Sequence, residues 1–368
     1  MQSISNNNLT GYPDNLFDNP LSGQAAAAPT GPVTLTSSGT PAFRVPNYKD
    51  FNLSVQHEVM RNTVAEIGYV GTVGTHLLGE VDLNQPSVAM RTANVGSDTN
   101  AIRPYLGYGP IVSRATIFTS NYNSLQMSLN RRMSKGLTLG AAYTWSKLLT
   151  TNPADRGVLA YDTYNLKQSY GLSTINTPQM LVFSYIYDFP FYQNQRGLVG
   201  HVLGGWEWSG ITTIESGQST TVTQALDPWQ LDPAYPGGLG LSRLPWWTAP
   251  AIAVDQIGNP KGPKTALQYF NTAAFVPAVD HFGGEHVGTV LGPGYQIWDM
   301  SLFKNINFGE RAGLQLRLEA FNTFNHGSPS SINTSINDPS LGLISPNFGA
   351  VNGWHMERQV QLGAKIKF

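Results

Sequence analysis

NYNSLQMSLNRRMSKGLTLGAAYTWSK, residues 121–147, decides the fold. Leu125, Met127 and Leu129 share one side of an extended chain, and Ser124, Gln126, Ser128 and Asn130 share the other. After MSKG the alternation resumes, with Leu137, Leu139, Ala141, Tyr143 and Trp145 opposite Thr138, Gly140, Ala142, Thr144 and Ser146. Successive side chains of a strand point to opposite faces, so period two marks a strand with one apolar and one polar face. Two such runs across a short segment containing Gly form a hairpin.

The same alternation recurs along the chain. Leu314, Leu316, Leu318 and Ala320 stand against Gln315, Arg317 and Glu319, and QVQLGAKIKF (359–368) closes on Val360, Leu362, Ala364, Ile366 and Phe368. Nine runs are expected to be strands, near 48–60, 62–72, 122–133, 136–149, 178–189, 204–216, 296–307, 311–325 and 357–368. Short joins alternate with long loops that reach to about 121, 177, 295 and 356. Short turns on one side and long loops on the other are the asymmetry of an up-and-down barrel in an outer membrane. Residues 1–47 are expected to be an irregular external segment, and 48–368 part of a barrel wall.

Composition agrees. With 22 basic and 23 acidic side chains the formal charge is -1, so nothing draws the chain to nucleic acid. Charged residues make up 12%, about half of what a soluble domain carries, while aromatic residues reach 11%. Strand faces meeting bulk water would carry more charge. No apolar run is long enough for a helical span. Residues 1–30 lack a basic start followed by an apolar core, so no signal peptide is expected on this chain. There is no cysteine, which excludes disulfides and thiolate chemistry. Tyr143, Trp145, Tyr185, Tyr187, Trp206, Trp208 and Trp298 lie near the ends of runs, where an aromatic girdle meets lipid headgroups.

Motifs of catalysis are weak. HFGGEH offers His281, Glu285 and His286, but not in the HExxH order and not on a helix. GNPKGPKT has Pro263 where a phosphate loop needs its second Gly. No G-x-S-x-G occurs, so neither an enzyme nor a cofactor is expected. Arg317 and Glu319 share a polar strand face, where they pair with each other in the lumen or touch a solute. The acidic and aromatic DPWQLDPAYPGG, with Asp227, Trp229, Asp232 and Tyr235, falls in the longest external loop and is the better candidate for ligand contact.

Five ordered blocks carry a resemblance: FNLSVQHEVMRNTVAEIGYVGTVGTHL, the hairpin quoted above, LGGWEWSGITTIESGQ, LGPGYQIWDMSLFKN and LQLRLEAFNTFNH. Together they resemble the C-terminal β-barrel portion of TonB-dependent outer-membrane receptors of the Oar-like type. The resemblance implies an all-β, antiparallel up-and-down meander that forms a partial transmembrane barrel with long external loops. It implies residence in the cell outer membrane and a role in moving or binding a large substrate there. It also implies contact with outer-membrane lipid, and coupling to the TonB complex through an N-terminal part that is missing here. The ending QLGAKIKF looks like the signal that such barrels present to the barrel assembly machinery, with Gln361, Gly363, Ile366 and Phe368 as its residues. No regulatory-like domain or plug precedes residue 48, so the chain is expected to be a C-terminal fragment. Two other readings stay open at this point: a structural or adhesive outer-membrane barrel, and a soluble β-rich binding module.

Overall fold

A computed structural model of the chain describes residues 3–5, 33–37, 43–152, 162–224, 252–284, 287–308, 312–336, 345–355 and 357–368. Nine long strands make the wall. They are β1 (Asn47–Met60), β2 (Thr63–Asp82), β3 (Tyr108–Ser134), β4 (Leu137–Thr150), β5 (Gln179–Asp188), β6 (Trp206–Glu215), β7 (Tyr295–Phe308), β8 (Ala312–Phe321) and β9 (Gln359–Lys367). Each pairs antiparallel with the next in sequence, so the sheet is a single meander.

Turn chemistry explains the short end. Between β3 and β4 only Lys135 and Gly136 remain, with φ of 52° and 78°, and two positive φ values make the turn whose twist suits a hairpin. Gly136 has no substitute there, because a Cβ would stand 2.5 Å from the carbonyl oxygen of Asp188. Between β1 and β2, Asn62 takes φ 64° and its N–H donates to Glu58 Oε1 at 3.1 Å. The β5–β6 join carries a helix, Gly197–Leu203.

Register lines the side chains into rows. Leu53, Tyr69, Leu125 and Trp145 are successive partners across β1 to β4, and Trp208, Leu302, Leu318 and Leu362 across β6 to β9. Behind them run Ser54, Gly68, Gln126 and Thr144, and Ser209, Ser301, Glu319 and Gln361. One face is apolar and the other polar, as the alternation requires. The apolar rows are open to the surroundings, with Leu53 73%, Trp145 56% and Leu362 79% exposed. A soluble domain would bury them.

Among the described residues the largest buried cluster is instead in the long connections. Val222, Val254, Phe270, Ala274, Phe275, Val290, Ile336 and Phe348 pack together, with the Phe270 ring edge-on to Phe275 and Phe348 at 5.6 and 5.2 Å. The described parts of the long loops therefore form a folded cap at one end of the wall.

Two strands run further than expected. β2 continues past residue 72 to Asp82, and β3 begins at Tyr108, well before 122. The ladder shifts register between Gly74 and Leu77, where His76 takes φ 56°. Above that shift Val81, Ala115 and Phe118 are buried with Leu77 and Leu166 against them, so both faces are covered and the period-two signal fades. Of residues 1–47, the described Ser3–Ser5 and Val33–Ser37 are short strands, the second running parallel to the start of β3.

Among the described residues no pairing joins β1 to β9: β1 pairs with β2 and β9 with β8. Among the described residues the wall therefore has two free edges.

Candidate functional site

Where β6 and β7 reach the capped end, Glu215 and Tyr295 are the last partners of their ladder, and both lie on the polar face. The Tyr295 hydroxyl donates to Glu215 Oε2 at 2.6 Å, and the Thr177 hydroxyl donates to Oε1 at 3.3 Å. The His355 ring lies 4.7 Å from the Tyr295 ring. Glu215, Tyr295 and His355 line a cleft of about 350 Å³, together with Thr174, Gln218 and Ser331.

Glycines let the chain make this corner. A Cβ on Gly217 would lie 1.8 Å from Gly292 O, and one on Gly294 would lie 2.4 Å from Glu215 O. Only a residue without a side chain allows the two backbones to cross so closely. The crossing is held by Gly292 N–H donating to Gln218 O at 2.8 Å, and by the pairing of Ser219 with Leu291. Beside it Tyr269, buried in the cap, has its hydroxyl 3.5 Å from Gly292 O, and burial pushes its pKa above the ordinary tyrosine value.

The cleft offers one carboxylate, several hydroxyls and an imidazole, a set suited to hydrogen-bonding a polar solute at the mouth of the polar face. Among the described residues no group of three or more His, Asp and Glu is placed to hold a metal ion.

The residues expected from sequence fall in different places. Asp227, Trp229, Asp232 and Tyr235 lie outside the described residues, as do Glu285 and His286. His281 bonds to Asp255 Oδ2 through Nε2 at 2.8 Å, and Asp255 Oδ1 accepts from Gly284 N–H, also at 2.8 Å. GNPKGPKT is an irregular loop lying close against 269–271, with Lys264 N–H donating to Tyr269 O at 3.1 Å and a Cβ on Gly262 only 2.3 Å from the Phe270 carbonyl carbon. Arg317 and Glu319 lie deeper on the polar face, opposite Phe303 and Ser301. Arg317 is about 27 Å along the strand from the level of Tyr295. Its guanidinium donates to Gln315 Oε1 at 2.9 and 2.7 Å and sits 5.7 Å from the Phe303 ring, so its hydrogen bonds go to Gln315 and not to Glu319.

In β9, Gln361, Gly363 and Ile366 pair with Glu319, Arg317 and Leu314. Leu362, Ile366 and Phe368 are exposed. Glu215, Tyr295 and His355 were not singled out by sequence, because no motif marks them; the nearest signal is a charged or aromatic residue beside a Gly at the end of an alternating run.

The family model of an outer membrane beta barrel domain matches residues 1–361. The chain belongs to that family. As an outer membrane beta barrel domain it resides in the outer membrane, and its exposed apolar rows are the expected outer surface of such a wall. No curated protein matches it. Among solved structures, it is similar to the outer membrane transporter YddB from Escherichia coli, at 10% identity and a TM-score of 0.47, over 93% of this chain and 35% of that one. It is also similar to P. aeruginosa FpvA bound to heterologous pyoverdines, at 8% identity and 0.42, over 87% and 27%. A third is the FrpB iron transporter from Neisseria meningitidis, at 11% identity and 0.42, over 92% and 33%. The chain thus spans about a third or less of the length of each.

Proposed function

We propose that the nine strands are a contiguous section of the wall of a TonB-dependent outer-membrane receptor of the Oar-like type, which binds or moves a large substrate. The two free edges carry this reading. An unpaired strand edge in hydrocarbon costs several kcal/mol per polar group, so a stable wall needs further strands between β9 and β1. Large plugged barrels of about 22 strands supply them.

In this reading the capped end faces outward, and the Glu215–Tyr295–His355 cleft is where a substrate first meets the lumen side. Asp227, Trp229, Asp232 and Tyr235 add contacts from the longest loop, and Arg317 and Glu319 continue the path along the polar face. Lipid covers the apolar rows. Gln361, Gly363, Ile366 and Phe368 are read by the assembly machinery, and coupling to the TonB complex belongs to a part other than these strands.

The test uses the absence of native cysteine. In intact cells carrying the protein, a membrane-impermeant maleimide should label Ser331→Cys and spare Lys135→Cys. Culture supernatant from the producing cells should slow the Ser331→Cys labelling several-fold. Labelling of Lys135→Cys from outside would invert the orientation, and an unchanged Ser331→Cys rate would count against a receptor.

A further inference from the structure

The helix in the β5–β6 join, Gly197–Leu203, has no task in the receptor reading. We propose that it lies flat in the periplasmic headgroup layer of the outer membrane and holds phospholipid on its apolar face. This rests on the reading that the apolar rows of the wall face lipid.

The helix is amphipathic in a specific direction. At about 100° per residue, Leu198, Val199, Val202 and Leu203 fall within an arc of about 140°, and Gly200 lies on the other side. Gly200 is buried, and a Cβ on it would lie 2.8 Å from the carbonyl carbon of Gln195. The four aliphatic side chains point away, with Leu198 83%, Val199 56%, Val202 57% and Leu203 49% exposed. Phe191 and Tyr192, just before the helix, are exposed too.

Its position on the wall is fixed by side chains from the apolar face. Lys304 lies in the row of Trp206 and Leu316, between Leu302 and Ile306 along its strand. Its Nζ donates to Val202 O at 3.1 Å and to Gly204 O, and lies 5.1 Å from the Trp206 ring. Trp206 Nε1 donates to the same Val202 O at 3.0 Å. Two side chains of the apolar face thus satisfy carbonyls at the end of this helix, which places it on that face and not beneath the lumen.

Gln195 extends the sheet to meet it. Its Nε2 donates to Asn305 O at 2.8 Å and its Oε1 accepts from Asn307 N–H at 3.0 Å, reproducing a ladder pair beyond the end of β6. The helix is therefore held at the level of Tyr187, Phe189, Trp206 and Trp208, whose rings pack near the turn end of the wall, Tyr187 against Phe189 at 5.2 Å.

Lipid is the occupant that fits. The patch is continuous with the apolar rows, and four aliphatic side chains fall far short of the roughly 800 Å² per partner of a specific protein interface. Exposed Arg196 caps the start of the helix, exposed Lys135 lies in the neighbouring turn and exposed Arg132 near the end of β3, so anionic headgroups meet cations at the same end of the wall.

The experiment places nitroxide labels on the full chain at Leu198→Cys, Val202→Cys, Asn194→Cys and Leu316→Cys. The chain is held in lysophospholipid micelles containing lysophosphatidylglycerol, which coat an open wall as well as a closed one. Collisions with oxygen report hydrocarbon, and collisions with a nickel chelate report water. Labels at Leu198 and Val202 should favour oxygen several-fold more than the label at Asn194, and approach the ratio at Leu316. Water-like ratios at Leu198 and Val202 with a hydrocarbon ratio at Leu316 overturn the helix proposal alone. A water-like ratio at Leu316 overturns the lipid reading of the wall and the helix proposal with it. Concentration-dependent dipolar broadening between Leu198 labels assigns the patch to a second copy and also overturns it.

Discussion

The hydroxyl of Tyr295 donates to Glu215 across the last rung of the β6–β7 ladder, at 2.6 Å. The carboxylate is held from two sides, since Thr177 donates to its other oxygen. Glu215 lines the cleft, so the pair presents a fixed acceptor to whatever enters. Tyr295→Phe removes a charge-assisted hydrogen bond, typically about 1.5–3 kcal/mol, and keeps the ring beside His355. Supernatant protection of Ser331→Cys from maleimide should weaken in Tyr295→Phe and vanish in Glu215→Ala, with surface levels unchanged. Full protection in Glu215→Ala would remove this carboxylate from ligand contact.

Tyr269 gives the cap a pH dependence of known sign. Burial raises its pKa above the value of about 10 that it has in the unfolded chain. A raised value means that the folded cap favours the neutral phenol. This contribution is complete below about pH 10 and is lost as pH rises through the higher folded value. Hydrogen exchange of the Tyr269 and Val351 amides, bonded to Gly349 O and Ala266 O, should accelerate beyond base catalysis on that alkaline limb. In Tyr269→Phe the excess should be absent; its persistence would assign the limb to another group.

Adjacent positions in β3 test which face meets lipid. Met127 lies in the apolar row with Ile67 and Tyr143, and Gln126 in the polar row with Gly68 and Thr144. Met127→Arg should cost about 2–4 kcal/mol near the midplane and Gln126→Arg much less, by unfolding in phospholipid. Gln315 is a poor control despite its polar face, because it accepts from Arg317 and donates to Asn305. Equal losses at 126 and 127 would refute the assignment of faces.

Phe368 is 103% exposed. With almost no packing on the protein to lose, Phe368→Ala should cost the micelle-bound chain no more than the lipid burial of one ring, about 2–3 kcal/mol. Its effect should appear in cells, as a several-fold drop in the amount inserted in the outer membrane. Normal insertion would remove Phe368 from any assembly signal.

The wall was legible in the sequence because each of its strands has one apolar and one polar face, and period two survives wherever that contrast does. Leu125 to Leu129 and Leu314 to Leu318 are such runs, and their strands end close to where the alternation stops. The outer halves of β2 and β3 were not legible. There Val81, Ala115 and Phe118 are covered together with Ser113 and Thr116, so side chains on both faces are buried whatever their polarity. The cleft was illegible for another reason. Glu215, Tyr295 and His355 come from distant segments, brought together by glycine crossings at Gly217 and Gly294 that leave no local pattern.

Cross-linking reads directly whether β1 and β9 are free edges of one continuous wall. Leu318 and Leu362 are partners, so Leu318→Cys with Leu362→Cys should form a disulfide readily in the micelle-bound chain, where Cβ atoms stand about 4.5–5.5 Å apart. Single cysteines at Leu53, Val55 or Val59 in β1, each combined with one at Val360, Leu362 or Ile366 in β9, should give no intramolecular disulfide under the same oxidation. Efficient bridging of any such pair would show β1 and β9 meeting as neighbours, and the chain closing on itself.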